Sequence, residues 1–470
     1  MRRTKIICTI GPASSSRISE MVEAGMDIAR INFSHGTDED HIQAFAGVKS
    51  ASESAGRPIG LLADLPGPKV RLGEILGGET DLETGSTFDL LPSGQAGDEK
   101  GVPTDHPSLA EDLMPGDRIL LADGAAELRV LSCDHAVRTE VVTGGTIRSR
   151  AGVNIPSHRL SLPALDSKDR IDLNTSIELG ADFVAQSFVR KAEDVQELRA
   201  LIGDKPIRIV VKIETGMAVE EADHILNEAD AIMLARGDLG AEIPFEEIPV
   251  IQKNLLRRAT GSGIAGVVAT QMLESMINAP RPTRAEASDV ANAVLDGADA
   301  ILLSAETAIG KYPVEAVRAA ARICSSAETK GGEFVWERRQ PAPASEAQAI
   351  AQAAAMLTHR DPSISAIACF TPSGRTAELL STVRPKVPIY AFSPSLGTLR
   401  RLTIRRGVFP VPCEEPNDTD SMIQTMDRVL GERSLADPGA VVLMVASSPV
   451  GLAPTNLLKI HRLDQVEGRK

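Results

Sequence analysis

The fold turns on three blocks within residues 210–274: Val210-Val211-Lys212-Ile213-Glu214-Thr215, then Ile232-Met233-Leu234-Ala235-Arg236-Gly237-Asp238-Leu239-Gly240, then Gly266-Val267-Val268-Ala269-Thr270-Gln271-Met272. Each opens on a short aliphatic run that reads as a buried strand, and a helix-length stretch of mixed polarity separates it from the next. Side chains two apart on a strand share a face, so the pattern predicts that Lys212 projects with Glu214, and Arg236 with Asp238. Consecutive parallel strands would then carry an ammonium, a guanidinium, two carboxylates and the Thr270 hydroxyl to one rim. Such a rim suits a divalent metal and a phosphorylated ligand.

Working outward, the same unit recurs. Strands are predicted at residues 5–9, 27–33, 59–64, 183–188, 207–213, 232–234, 266–269 and 300–303, with amphipathic helices between them. Alternation of this kind implies a parallel sheet, and about eight units suffice to close a (β/α)8 TIM barrel. A doubly wound open sheet is the rival; it would need strands added in both directions, and the chain has no glycine-rich dinucleotide fingerprint. In a barrel the loops after the strands form the active face, which is where the polar tips fall. The repeat breaks at residues 70–161, a stretch rich in Gly, Thr, Asp and Val with alternating runs such as 118–121 and 128–131. It is far longer than a βα loop of ~2–6 residues and reads as an inserted β-domain lid. A second boundary lies near residues 331–345, where Gln340-Pro341-Ala342-Pro343-Ala344 looks like a linker. Beyond it, strands at 364–370, 387–392, 408–411 and 441–445 alternate with helices as a three-layer α/β domain. The expected division is barrel (1–69 and 162–340), lid (70–161) and C-terminal domain (341–470).

Composition narrows the function. A chain of 470 residues exceeds one ordinary core, and 3% aromatic residues make that core aliphatic. A net charge of -14 argues against a nucleic-acid or membrane-surface binder. The five cysteines, Cys8, Cys133, Cys324, Cys369 and Cys413, are scattered without a C-x-x-C pair, as expected of free thiols in a reducing compartment. The apolar run at residues 6–10 is too short for a signal peptide, and no run approaches the ~20 residues of a membrane span. A cytoplasmic location is expected.

Six motifs, in order, resemble the pyruvate kinase family: Thr9-Ile10-Gly11-Pro12-Ala13-Ser14, Ala29-Arg30-Ile31-Asn32-Phe33-Ser34-His35-Gly36, Val211-Lys212-Ile213-Glu214, Ala235-Arg236-Gly237-Asp238-Leu239-Gly240, Ala269-Thr270-Gln271-Met272-Leu273-Glu274-Ser275-Met276 and Pro280-Arg281-Pro282-Thr283-Arg284-Ala285-Glu286. The resemblance covers nearly the whole chain. It implies transfer of the phosphoryl group of phosphoenolpyruvate to ADP, giving pyruvate and ATP, by a homotetramer. It implies Mg2+ at Glu214 and Asp238, phosphoryl stabilisation by Lys212 and Arg30, and protonation of the enolate beside Thr270. Substrate binding would involve Arg30, Lys212, Gly237, Asp238 and Thr270. Asn32, His35 and Arg71 match nucleotide-side positions, with Thr9 and Pro12 more weakly, and Ser187, Phe188 and Ser304 complete the rim. Asn32, Ser34, Asp64 and Leu65 match a monovalent-cation site, and Thr371, Ser373, Gly374, Arg375 and Thr376 match a loop for a sugar-phosphate or nucleotide effector.

The residues themselves allow other readings. Glu214 and Asp238 could be rim salt bridges, Thr270 a plain strand-end threonine, and Ser373 a helix cap. A Schiff-base role for Lys212 would need a neutral amine, and Glu214 on the same face favours the ammonium. A metal-dependent lyase or aldolase, or a metabolite sensor, are the competing functions. The inserted lid and Arg30-Asn32-Ser34 count against the lyase, and retention of Lys212, Glu214, Asp238 and Thr270 counts against the sensor. The chain also departs from the family. Where many members read Asp-Thr-Lys-Gly-Pro-Glu it has Asp64-Leu65-Pro66-Gly67-Pro68-Lys69, so Lys69 is expected to replace K+ and to make the enzyme K+-independent. In the lid, Ala122-Asp123-Gly124 and Ser149-Arg150-Ala151-Gly152 differ from the common pattern, as do Ala305 and the segment 447–456.

Overall fold

The computed structural model describes residues 1–92, 97–156, 161–331, 343–450 and 454–464. Eight parallel strands close a barrel: Lys5–Thr9, Ile28–Asn32, Gly60–Asp64, Phe183–Gln186, Arg208–Ile213, Ala231–Ala235, Ala265–Ala269 and Ala300–Leu303. The first pairs with the eighth, Lys5 with Ala300 through Cys8 with Leu303, and this closure rules out the open sheet. Ser187 and Phe188, expected in the fourth strand, lie beyond its end; Phe188 turns the chain at φ +53°.

Several outer helices start where side chains satisfy their unpaired amides. Thr37 and Asp40 form a capping box on helix Asp38–Ser54, as do Thr283 and Glu286 on Arg284–Leu295. Helix Pro313–Lys330 begins with proline, whose missing N–H costs nothing at that position. Aliphatic side chains seal the strands to these helices. A second cluster fills the barrel interior, including Ile7, Val210, Met233, Val267 and Leu302. Ile404 of the C-terminal domain joins it from below, so that domain plugs the barrel floor. Gly60 permits the approach, because a Cβ there would lie 2.5 Å from Thr403 Oγ1.

The floor carries a fourfold device. An aspartate precedes each even-numbered barrel strand: Asp27, Asp182, Asp230 and Asp299. Each donates its amide to the carbonyl of one residue in the preceding odd strand and accepts that residue's amide on its carboxylate; the partners are Ile6, Leu61, Ile209 and Gly266. The sheet's lower edge is thereby closed without leaving buried amides unpaired. Arginines neutralise the four carboxylates: Arg2 on Asp27 (2.8 Å), Arg400 on Asp182 (2.9 Å), Arg208 on Asp230 (2.8 Å) and Arg384 on Asp299 (2.9 Å). Arg384 and Arg400 belong to the C-terminal domain, so the same carboxylates dock it.

Between the third and fourth barrel strands stands the β-module. A six-stranded sheet and a two-stranded sheet surround their own core of Phe88, Ile119, Leu128, Val130 and Val141. The expected runs at 118–121 and 128–131 are strand Arg118–Leu121 and the middle of Ala126–Cys133. Clefts on both sides are lined jointly by this module and the barrel rim, which places it over the active face. At its base Gly67 (φ +70°) comes so close to Ser187 that a Cβ would lie 2.9 Å from that side chain. Asp169 accepts the Gly67 amide (2.9 Å) and holds this turn.

The C-terminal sheet has parallel strands Ile364–Phe370, Ile389–Ser393, Val408–Pro412 and Val441–Ala446. A fifth strand, Leu457–Arg462, was not expected and joins antiparallel at the edge. Its side chains are half-buried or exposed, so it lacks the apolar run that marks the others. Residues 332–342 of the expected linker, and Gly451-Leu452-Ala453 of the glycine-bearing segment, lie outside the described residues. No described helix is long and apolar enough to cross a membrane.

Candidate active site

The polar tips meet at the C-terminal ends of the strands. Lys212 sits near the end of the fifth strand and Glu214 just past it, with Lys212 Nζ 2.9 Å from Glu214 Oε1. The same ammonium is 3.3 Å from Asp64 Oδ1 and donates to Ser187 Oγ (2.7 Å). Burial pulls its pKa down, but Asp64 and Glu214 outweigh that and push it up to about 12. Lys212 is therefore a fixed cation, as its spacing from Glu214 predicts, and a Schiff-base role is disfavoured.

Arg30 projects from the second strand and donates through Nε to Asp64 Oδ2 (2.6 Å) and through Nη1 to Thr9 Oγ1 (2.9 Å). Burial would raise the Asp64 carboxyl, yet Arg30 and Lys212 together hold it below the usual carboxylate range. Lys69 Nζ reaches across the rim to Asp238 Oδ1 (3.0 Å). Among the described residues, three carboxylates, Asp64, Glu214 and Asp238, thus face three cations, Arg30, Lys212 and Lys69.

The residues fit a divalent ion. Glu214 is buried; its Oε2 accepts the Phe188 amide (2.8 Å), while Oε1 receives no well-directed hydrogen bond. Burial and the nearby Asp238 raise the Glu214 carboxyl against the pull of Lys212, a tension that another cation would relieve. Among the described residues no three or more His, Cys, Asp or Glu side chains form a ready-made metal cage. One or two carboxylates completed by substrate oxygens are what Mg2+ takes. At the expected monovalent-cation group, acceptors of Leu65, Asn32 and Asp64 already have protein donors. Leu65 O takes Ser187 Oγ (2.7 Å), Asn32 Oδ1 takes the Ser34 amide (3.2 Å), and Asp64 is doubly paired.

One expectation is corrected. Arg236 does not face the rim with Asp238, because the sixth strand ends at Ala235 and helix Arg236–Glu242 begins there. Two residues span about 200° on a helix, so the two side chains part. The guanidinium turns to the seventh strand, where it donates to Ala269 O and Thr270 O and pairs with Asp289. Thr270 does arrive at the rim, at φ +66°, with its Oγ1 accepting the Gly237 amide (2.9 Å).

His35 and Arg71 line a cleft of about 490 Å³ under the lid, with Lys69, Thr146, Arg148 and Arg150. Partial burial and the nearby Arg71 and Arg30 lower the His35 pKa. Sequence reasoning missed Thr146 and Arg148. Their only signal was a basic residue at a strand end inside a module whose placement was unknown. Ser304 follows the eighth strand, where its amide donates to Glu306 (2.7 Å).

The C-terminal loop differs from expectation in one respect. Gly374 (φ +94°), not Ser373, is the cap of helix Arg375–Thr382, and no side chain caps it. Ser373 and Arg375 are exposed, Thr371 is buried, and Thr376 Oγ1 is hydrogen-bonded to Thr455 Oγ1 (2.7 Å).

Fold and rim together define a TIM-barrel enzyme with a lid and a charge-balanced site. The description "Pyruvate kinase, barrel domain" matches residues 1–317, and "Pyruvate kinase, alpha/beta domain" matches 348–461. The chain is 41% identical to a pyruvate kinase of Corynebacterium efficiens, covering 99% of this chain and 98% of that one. It is 40% identical to that of Mycobacterium tuberculosis (99% and 99%) and 40% to that of Geobacillus stearothermophilus (98% and 80%). The chain belongs to the pyruvate kinase family. Its reaction is phosphoryl transfer from phosphoenolpyruvate to ADP.

Proposed function

We propose that this enzyme makes pyruvate and ATP with Mg2+ held by Glu214 and Asp238, and that it needs no K+. The observation that carries the reading is the convergence of Arg30, Lys212, Glu214, Asp238 and Thr270 on one rim beneath the lid. Phosphoryl transfer asks chiefly for positioning and charge stabilisation, and fixed cations in a site shielded from water provide it. Lys212, locked as an ammonium, and Arg30, aimed by Asp64 and Thr9, stabilise the phosphoryl group in flight. Bound Mg2+ would neutralise substrate oxygens. Gly237 and Asp238 bracket the substrate carboxylate, and Thr270 Oγ stands where the enolate carbon takes its proton. Asn32, His35 and Arg71, with the lid arginines, hold the nucleotide side.

K+ independence is supported by the three-to-three charge balance and by the hydrogen bonds already made at Asn32, Asp64 and Leu65. We read Thr371, Ser373, Gly374, Arg375 and Thr376 as the loop for a sugar-phosphate or nucleotide effector. We read the enzyme as a cytoplasmic homotetramer divided at residues 70, 162 and 341. The test is pyruvate release from phosphoenolpyruvate and ADP with Mg2+ in K+-free buffer. Rapid turnover is expected. Silence that K+ relieves would discard the cation reading alone, and silence in both conditions would discard the assignment.

A further inference from the structure

Arg236 has five N–H donors, and each has an acceptor inside the protein. Nε donates to Ala269 O (3.2 Å) and Nη1 to Asp289 Oδ1 (2.8 Å) and Gln252 Oε1 (3.5 Å). Nη2 donates to Thr270 O (2.6 Å) and lies 3.0 Å from Met272 Sδ. No donor is left for a substrate. What the fork grips is the turn at the end of the seventh strand, where Thr270 (φ +66°) and Gln271 (φ +53°) both occupy the left-handed region. For a β-branched residue that conformation is rare and persists only where its surroundings enforce it. The grip also touches the hydroxyl itself. Thr270 Oγ1 donates to Ala269 O (2.6 Å), the same carbonyl that takes Arg236 Nε, and accepts from Gly237, the residue after Arg236.

We propose that Arg236, oriented by Asp289, is a positioning residue. It staples the sixth-strand rim to the seventh and holds the strained turn, sharing Ala269 O with the Thr270 hydroxyl so that this hydroxyl is fixed in place at the rim. The inference rests on the reading of Thr270 as the proton donor to the enolate. In that step the C2=C3 electron pair takes the Thr270 proton, the enolate oxygen becomes the C2 carbonyl, and Thr270 Oγ recovers a proton from water. Arg236→Lys keeps the charge but puts one three-donor ammonium where the planar fork meets five acceptors.

The experiment compares wild type, Arg236→Lys, Asp289→Asn, Thr270→Ala and the Arg236→Lys/Thr270→Ala double variant. Two rates are read: steady-state kcat and KM for phosphoenolpyruvate, and exchange of pyruvate methyl protons in D2O followed by NMR. Displacing a reacting group by about 1 Å costs on the order of a hundredfold. Arg236→Lys should therefore lose roughly 30- to 100-fold in both kcat and exchange, with KM within about threefold. Asp289→Asn should lose less in the same pattern, and it carries the test if Arg236→Lys fails to fold. The double variant should be no slower than Thr270→Ala alone, since residues acting as one unit are not additive. Additive losses, a raised KM with exchange intact, or unchanged exchange in both Arg236→Lys and Asp289→Asn would overturn the positioning role while leaving Thr270 in place. Full exchange in Thr270→Ala would instead remove the proton-donor reading, and this proposal with it.

Discussion

Replacing Lys69 by methionine tests the charge balance directly. The ammonium lies 3.0 Å from Asp238 Oδ1 and is the third cation against three carboxylates. At an effective dielectric of about 20 the gross attraction of such a pair is about 5 kcal/mol. The two side chains are 22% and 25% exposed, so water and the cost of ordering a long side chain take back most of this. A net of about 1 to 1.5 kcal/mol remains, roughly tenfold in rate or affinity. Lys69→Met makes the rim one charge more negative just where anionic substrates must enter. Without K+ its kcat/KM for phosphoenolpyruvate should fall about tenfold, and added K+ should recover most of the loss. The assay is pyruvate formation at constant ionic strength, with tetramethylammonium exchanged stepwise for K+. Wild type should change by less than about twofold across that titration. Strong K+ activation of the wild type, or a Lys69→Met enzyme that is fast and indifferent to K+, would refute the reasoning.

Three further outcomes are expected. Burial lowers the Lys5 pKa from 10.5 to about 8, with Asp27 opposing the shift. Between those pH values the unfolded chain binds the extra proton, so Lys5 costs stability in full below pH 8 and ever less up to pH 10.5. The unfolding free energy of wild type relative to Lys5→Met, from urea titrations, should rise over that window by up to about 3 kcal/mol, and a flat difference would exclude the effect. Gly60→Ala should cost about 1–3 kcal/mol by pressing on Thr403, and Thr403→Ala in the same chain should return part of it, read by thermal unfolding. Arg375→Ala should abolish any activation by a sugar phosphate; an unchanged response in that variant would remove the 371–376 loop from regulation.

The barrel was legible because aliphatic runs such as Ile209-Val210-Val211 and Ala300–Leu303 can be buried on both faces in only a few ways. Lys212 and Glu214 were legible as a pair because both stay in extended backbone, where a two-residue spacing means one face. The same rule misplaced Arg236, since the chain enters a helix at Arg236, where a shared face with Asp238 needs extended backbone. Ser373 was one candidate cap, yet the left-handed turn falls on Gly374, a conformation that glycine adopts at little cost.

The floor aspartates Asp27, Asp182, Asp230 and Asp299 obey a rule that strand order makes visible, but unequal insertions hide it along the chain. By itself, then, the sequence determined the positions and order of the barrel strands, the inserted β-module and which polar residues follow each strand. These follow from periodicity and residue type within a few neighbours. Only the tertiary structure decided that Lys69 meets Asp238, that Ile404 plugs the barrel and that Arg236 grips the Thr270 turn. Each such contact joins residues tens to hundreds of positions apart, whose distance is set by closing the barrel and docking the domains, and no local pattern encodes it.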